Sequence, residues 1–566
     1  MKKVKVMPFV IGAVSSLIVT GILIYIFCPA FNIRNIDLWI FIDVAILLFT
    51  VVTRLAMGFN DFGTEIRTVK KKKGNKNKNV TIKIPRFNAK YYIASIVFTA
   101  LIFFIGISGS SFFNATAYSE ILKVTESDFS QDLAESVGTD SIALMDTASA
   151  QMLGDREIGA LSDVVSQFDV SYDYTQIDYN GKPVKVAALE YAGFFKWKNN
   201  KDSGVRGYVT VNPVTMSASF EKTEGMKYVP SAFFSEDAYR YLWTKYPTLM
   251  LDNLHFEIDE NGRPYYVASV IEHSIGLFGG TTVVGCVTLD PVTGETEKYE
   301  IADIPNWIDV VFYGDLICRQ YNWFGMYSNG YMNSMFAKKD CKQVTTYYSG
   351  DDESDDSDDS DDATPVSDYG YVAKDGDIWI YTGVTSVNGD SSNIGFLLAN
   401  ERTGESRYYS IAGADEKSAM AAAEGEVQEK GYQASFPSLI NIDGHPTYIM
   451  VLKDSGGLVK LYATVNVEQY NIVTTASTQD ECIKKYKETL GIETEDLTED
   501  KKEAIITIAS IKYIDIDGNT YIYLIDDKNE IFKAKASDNE NMLLLNVGDK
   551  VKIICSGKII VSCEKI

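Results

Sequence analysis

The chain has 566 residues, too many for one hydrophobic core, and its 46% hydrophobic and 12% aromatic content excludes disorder over its whole length. The formal net charge of −24 is unevenly spread: residues 1–113 hold 15 Lys+Arg against 4 Asp+Glu (+11), and the remainder holds 38 against 73 (−35). A body that acidic repels phosphate backbones, so no nucleic acid is expected as a partner.

Residues 1–113 read as a three-span membrane anchor. Apolar stretches at Met7–Phe27, Leu38–Met57 and Tyr91–Phe113 each reach the roughly 20 residues that a helix needs to cross a bilayer. Lys2, Lys3 and Lys5 precede the first. A basic loop, 58–90, joins the second to the third and carries Arg67, Lys70, Lys71, Lys72, Lys73, Lys76, Lys78, Lys83, Arg86 and Lys90. The positive-inside rule then puts the N-terminus and this loop in the cytoplasm and everything after Phe113 outside the cell membrane. Met7–Phe27 is read as a span rather than a signal peptide, because no small-residue cleavage pattern follows Phe27. Asp43 falls inside the second span. It is read as lying near the outer interface and hydrated there, with a functional intramembrane carboxylate as the alternative. The lysine-rich loop also suits anionic headgroups, which makes membrane lipid an expected partner.

Residues 114–150 form a connector with helical pieces, and the acidic body follows. Its first two units are assigned to 151–230 and 231–345, the second with an aromatic-rich helix. A linker at 346–366 contains the run Asp351–Asp362, which has no apolar residue and is expected to be disordered. Third and fourth units occupy 367–475, and a helical connector occupies 476–503. The organising repeat is a strand running into a tight turn: Gly207–Met216, Gly285–Gly294 and Gly395–Gly404. Hairpin turns recur before each copy or its counterpart, at Asn180-Gly181-Lys182-Pro183, Asn261-Gly262-Arg263-Pro264, Asp375-Gly376-Asp377 and Asp443-Gly444-His445-Pro446. Asn-Gly and Asp-Gly admit the positive φ that such turns require. Helices are expected at Ser235–Tyr246, Pro305–Tyr321, Ala414–Lys430 and Thr478–Leu490, from capping residues and an early proline. One helix against an antiparallel sheet, repeated, gives an α+β array. The segment 504–566 alternates through Ile505–Tyr513, Tyr521–Asp526, Glu530–Ala536, Lys550–Cys555 and Ile559–Cys563, the pattern of a small β-barrel.

The helix–strand–turn–strand plan, with Gly-x-Pro turns and the Asp290-Pro291-Val292-Thr293-Gly294-Glu295 turn, resembles PepSY-type modules over residues 150–475. Asn400–Glu405 matches in part, and Asn212–Ser217 departs with Met216 in the glycine place. The C-terminal barrel resembles an OB-like fold. The whole is similar to membrane-anchored bacterial envelope proteins. The resemblance implies extracytoplasmic modules that modulate peptidases or cell-envelope processes; it carries no catalytic residues to transfer.

Chemistry-bearing patterns are sparse. His255, His273 and His445 lie in no HExxH or paired spacing, the seven cysteines form no CxxC pair, and no GxSxG, Walker or GxGxxG motif occurs. No cofactor, metal or catalytic residue is therefore assigned. The cysteines are read mostly as free buried thiols, although six of them in an exported body permit disulfides. Two aromatic stretches are the candidate binding surface: Phe194, Phe195 and Trp197 at a hairpin tip, and Tyr321, Trp323, Phe324, Tyr327 and Tyr331 in the second unit. The bland alternative for both is packing between units. The leading reading is a non-enzymatic, membrane-anchored extracytoplasmic scaffold that binds an envelope protein or a cell-wall partner, or a second copy of itself. The alternatives are a regulator of an extracytoplasmic peptidase and an enzyme acting on wall polymer.

Overall fold

The computed structural model describes residues 6–58, 62–73, 76–87, 91–133, 144–159, 161, 165–347, 366–367, 369–387, 392–492, 502–516, 519–526, 528, 530–535, 540–556 and 559–565. The acidic run at 351–362 lies outside them. The chain divides into two compact units, Met1–Tyr486 and Lys487–Ile566.

The first unit opens with two helices long and apolar enough to cross a membrane, α1 (Met7–Phe27) and α2 (Ile36–Ala56). Pro8 sits in the first turn of α1, where its missing N–H is not needed. Asn35 caps α2 by accepting the Asp37 N–H at 2.9 Å. Small residues on α1 at four-residue spacing, Gly12, Ser16 and Thr20, are buried. They let the backbones approach: a Cβ on Gly12 would collide with Thr53 of α2, and Ser16 Oγ donates to the Ala45 carbonyl at 2.7 Å. The third apolar stretch is not one straight helix. It forms α3 (Ile93–Ser108) and α4 (Ser111–Ser119), bent by 41° at the break, and together the pair passes the same length and composition test. The basic loop forms a two-stranded antiparallel hairpin, Phe62–Lys73 against Lys76–Phe87. Asp43 does not stand free: both its carboxylate oxygens accept hydroxyls from α3, Ser95 at 2.7 Å and Thr99 at 2.5 Å.

The stretch read as a connector is largely built into the body. Val124–Glu126 pairs in parallel with Ser406–Tyr409 of the third sheet. The short α5 (Phe129–Asp132) buries Phe129 among residues of the third and fourth sheets. A longer helix, α6 (Thr147–Gly159), starts before the expected unit boundary and places Ala150 and Ile158 on the first sheet.

Four larger sheets follow among the described residues. The first pairs Pro183–Tyr191 with Val205–Asn212, then Ser217–Met226, and on its other side with Phe168–Val170 and Thr175–Asp178. The second is an antiparallel meander of Met250–Ile258, Pro264–Ile275, Gly279–Leu289 and Thr296–Glu300. The third centres on Asp377–Ser386 and Ser392–Asn400, and the fourth on His445–Lys453 and Val459–Asn466. Apolar faces meet in pairs. Val186 and Val209 of the first sheet share a core with Phe256 and Leu289 of the second, and Phe396 of the third shares one with Met450 of the fourth.

Three of the four hairpin turns take positive φ at both residues, and at Asn261-Gly262 only Gly262 does, at 76°. Asn180 and Gly181 have φ of 54° and 77°, Asp375 and Gly376 57° and 79°, and Asp443 and Gly444 52° and 81°. In the repeated strand–turn motif, Asn212, Asp290 and Asn400 each accept the N–H groups two and three residues on, at 2.8–3.1 Å.

Several helix boundaries differ from expectation. The helix expected at Pro305–Tyr321 is α9 (Gly314–Tyr327), nine residues late. The Asp309 and Val310 N–H groups are taken by the Glu257 carboxylate, and those of Val311 and Phe312 by the Glu401 carbonyl, so residues 309–312 bond outside any helix. The helix expected at Ser235–Tyr246 is α8 (Ala238–Lys245), capped by Asp237 rather than Ser235. The Phe194–Trp197 stretch does lie in the connection between the paired antiparallel strands Pro183–Tyr191 and Val205–Asn212, but there it opens a short helix, α7 (Phe194–Asn200). α10 (Glu416–Glu426) and α11 (Gln479–Thr489) lie within their expected ranges. All seven cysteines are free thiols.

In the second unit, Lys502–Ile516, Asn519–Asp526, Ile531–Lys535, Ile559–Lys565 and Lys550–Ser556 pair successively around a closed cycle. Ile522, Leu524, Val551 and Ile553 fill its interior.

Candidate functional site

The two aromatic stretches are divided between core and surface. Tyr321, on α9, is 1% exposed and packs with Ile380 and Leu397 of the third sheet, so it belongs to the core rather than to a binding surface. Trp197 is 7% exposed, and its indole N–H donates to Glu236 at 2.8 Å, so it too is a packing residue. Both corrections have one cause. The stretches are helical, and a helix turns one side of an aromatic run inward. Trp323 and Tyr327 meet Tyr118 edge-on at 4.9 and 6.4 Å, Phe324 packs against Tyr321 at 5.7 Å, and Tyr331 stacks on Tyr327 at 6.1 Å. Phe194 and Phe195 remain on the surface, Phe195 at 75% exposure. The two stretches do not form one surface through any ring contact among the described residues.

A buried polar junction forms where the first three sheets approach one another. Glu257, on the second sheet, is fully buried. It accepts the ring N–H of His255 at 2.8 Å and the backbone N–H groups of Asp309 and Val310 at 2.9 Å each. Asp309 in turn accepts the Asp178 N–H at 2.6 Å, and Arg402 lies 3.6 Å from its other oxygen. Arg402 also pairs with Asp377 of the third sheet. Lys185 of the first sheet is buried, with Asp146 and Glu401 as its charged neighbours. Desolvation pulls the Lys185 ammonium down to about 8. It pushes the carboxyls of Asp309 and Glu401 well above the usual range, with the negative Glu257 raising both further. Gln176 Nε2, Asp309 Oδ1, Glu401 Oε2 and Arg402 Nε find no protein hydrogen-bond partner among the described residues. The junction ties three sheets into one body. Among the described residues no group of three or more His, Cys, Asp or Glu is arranged to hold a metal ion.

Sequence reading missed these groups because they meet across long separations. Glu257 and Asp309 lie 52 residues apart. The available signal was His255-Phe256-Glu257, a polar pair on one strand face that a second layer covers.

An open groove of about 500 Å³ lies at the edge of the third sheet. Its walls include Phe129, Tyr409, Ile411 and Pro446, and its acids are Glu126, Asp128 and Glu468. The edge strand Val124–Glu126 borders it. Asp128 caps α5, accepting the Ser130 hydroxyl and N–H at 2.6 and 3.0 Å, and the hydroxyl bond above all holds its carboxyl below the usual range. A mixed lining of aromatic, hydroxyl and carboxylate groups beside a strand edge suits an extended peptide carrying basic side chains.

No family model matches the chain, and no curated protein matches it. Among solved structures, a B. megaterium levansucrase mutant aligns at 9% identity over 77% of this chain and 97% of its own, with a TM-score of 0.18. A likeness that weak carries no argument about fold or activity.

Proposed function

We propose that the chain is a membrane-anchored extracytoplasmic scaffold of a bacterial cell envelope, binding a protein partner and catalysing no reaction of its own. In this reading α1, α2 and the bent α3–α4 pair are three spans, the basic hairpin is cytoplasmic, and the acidic sheets stand outside as PepSY-like modules. The closed C-terminal strand cycle is an OB-like barrel that adds a second contact site.

One observation carries the reading: the acidic body, through α8 and the second sheet, bonds directly to the loop that joins the two apolar helices. The Trp243 indole donates to the Pro29 carbonyl at 2.9 Å, Phe31 N–H donates to Pro247 at 2.7 Å, and Arg34 donates to the His273 carbonyl at 2.6 Å. Contacts of this kind hold a body at a fixed orientation to its anchor, as a presenting platform needs. The acidic groove supports a basic peptide segment as the bound element.

The test is in-cell photo-cross-linking from Ser130, beside the groove, followed by mass spectrometry. A single abundant envelope protein, lost when Asp128 and Glu468 are changed to lysine, is expected. Hydrolase activity of the purified protein that one point change abolishes would overturn the reading.

A further inference from the structure

We infer that the body does not merely hang from its spans but rests on the lipid, inserting two aromatic-basic patches that flank the helix bundle into an anionic headgroup layer. The inference rests on the proposed membrane anchoring. The first patch is Phe194 and Phe195 on α7 with Phe234 beside them; Phe234 lies 6.5 Å from Phe194, ring to ring, and all three are exposed. Its depth is set by Arg240, which donates to the Phe234 carbonyl at 2.9 Å and to the Tyr25 carbonyl, in the last turn of α1, at 3.0 Å. One guanidinium thus bridges the patch and the end of the first span.

The second patch is Met332, Met335 and Phe336, the last 78% exposed. It follows directly on Tyr331, whose ring meets Phe112 at 5.1 Å at the start of α4, where the third span bends. Exposed apolar groups of this size on a water-soluble face need an explanation, and both sit beside an apolar helix end.

Charge points to the same occupant. The body after Phe113 carries −35, yet residues 194–201 contain Lys196, Lys198 and Lys201 and no acid, the nearby Glu236 and Asp237 are engaged by Trp197 and Arg240, and Lys338 and Lys339 follow the second patch ahead of a single acid, Asp340. Aromatic and methionine side chains beside lysines on an otherwise acidic surface match an interface of anionic lipid. A protein partner bound at both patches would have to avoid the bilayer that the adjoining spans occupy.

The experiment reconstitutes the full chain in vesicles containing phosphatidylglycerol and lipids with a bromine quencher near the headgroup. Phe195→Cys, Phe336→Cys and, as a control, exposed Tyr470→Cys in the turn between strands Val459–Asn466 and Val473–Ala476 of the fourth sheet are labelled with an environment-sensitive fluorophore. Quenching at least about twofold greater at 195 and 336 than at 470 is expected for groups inserted ~5–10 Å into the interface. Equal quenching at all three positions would overturn the inference. Carbonate extraction of the same vesicles separates the failures: a protein that stays in the pellet with equal quenching refutes the lipid contact alone, and one that is extracted refutes the anchoring and the contact together. Phe195→Ser with Phe336→Ser provides the unlabelled check, with a lower yield of cross-links to photoreactive phosphatidylglycerol expected and an unchanged yield contradicting the inference.

Discussion

Glu257 holds Val310 in place across 53 residues of sequence, accepting its backbone N–H at 2.9 Å through a fully buried carboxylate. The same side chain accepts Asp309 N–H and the His255 ring N–H, so one residue on the second sheet holds the first half of the segment that leads into α9. That helix carries Leu316 to the second sheet and Tyr321 to the third. The Glu257 carboxylate thus shares with the Glu401 carbonyl, which takes the Val311 and Phe312 N–H groups, the placing of α9 between the two sheets.

Replacing it is expected to be costly. Glu257→Ala strands two buried N–H groups and a histidine, and about 3 kcal/mol of lost stability is expected from unmade hydrogen bonds of this kind. Glu257→Gln keeps the volume but aims an amide donor at other donors, so it is expected to recover little. Thermal unfolding of the full chain in detergent measures both. A loss below about 1 kcal/mol for the alanine variant would contradict the assigned role.

The repeated turn supports a paired test. Gly294 has φ of 77°, and a Cβ there would come within 2.7 Å of the Tyr228 ring, so Gly294→Ala is expected to destabilise by about 1–2 kcal/mol. Met216 occupies the corresponding place with φ of 54°, a conformation that L side chains rarely adopt. Met216→Gly relieves about 1 kcal/mol of backbone strain, offset by lost packing on the first core, and is expected near neutral. Melting temperatures of the two variants check the contrast; equal losses in both would refute it.

Glu416 gives a pH prediction with a definite sign. Burial raises its carboxyl from 4.5 to about 7, despite hydrogen bonds from the Gly383 N–H at 2.7 Å and the Thr345 hydroxyl at 3.2 Å. The folded state then binds more protons than the unfolded one between those values, so stability falls as pH rises through that window. Glu416→Gln removes the charge and keeps an acceptor. It is expected to gain up to about 3 kcal/mol at about pH 8 and nothing at about pH 4. Melting curves across that range check it, and a pH-independent difference would contradict it.

Between the membrane helices, the Asp43 carboxylate is expected to cross-link α2 to α3. Ser95→Ala combined with Thr99→Val removes both donors and is expected to cost about 1–2 kcal/mol in unfolding from mixed micelles. Asp43→Ala in that background should add little beyond this, because the three groups act as one unit. Additive losses would show that the carboxylate serves another partner.

What the sequence disclosed is local. Asn180-Gly181, Asp375-Gly376 and Asp443-Gly444 announce their turns because positive φ is a property of the residues themselves, and the Asn212, Asp290 and Asn400 side chains bond within three residues. Apolar runs at the N-terminus disclose α1 and α2 for the same reason. What stayed hidden is long-range. Nothing near Val124–Glu126 indicates that it pairs with a strand about 280 residues later. Pro305 is a sound helix-start signal, overridden because Glu257 and Glu401 claim the N–H groups that follow. Of the candidate surface, Phe194 and Phe195 are exposed, while Trp197 and Tyr321 turn inward on helices whose buried side depends on neighbours no local pattern shows. The acidic groove was illegible because Asp128 and Glu468 come from opposite ends of the body.

The central claim is that the acidic body stands outside the membrane on spans it grips directly. The most direct measurement is labelling of Tyr470→Cys in intact cells with a membrane-impermeant maleimide, against the wild-type chain with its native cysteines. Labelling of intact cells equal to that of permeabilised cells is the result expected. Labelling only after permeabilisation would place the body in the cytoplasm and contradict the account.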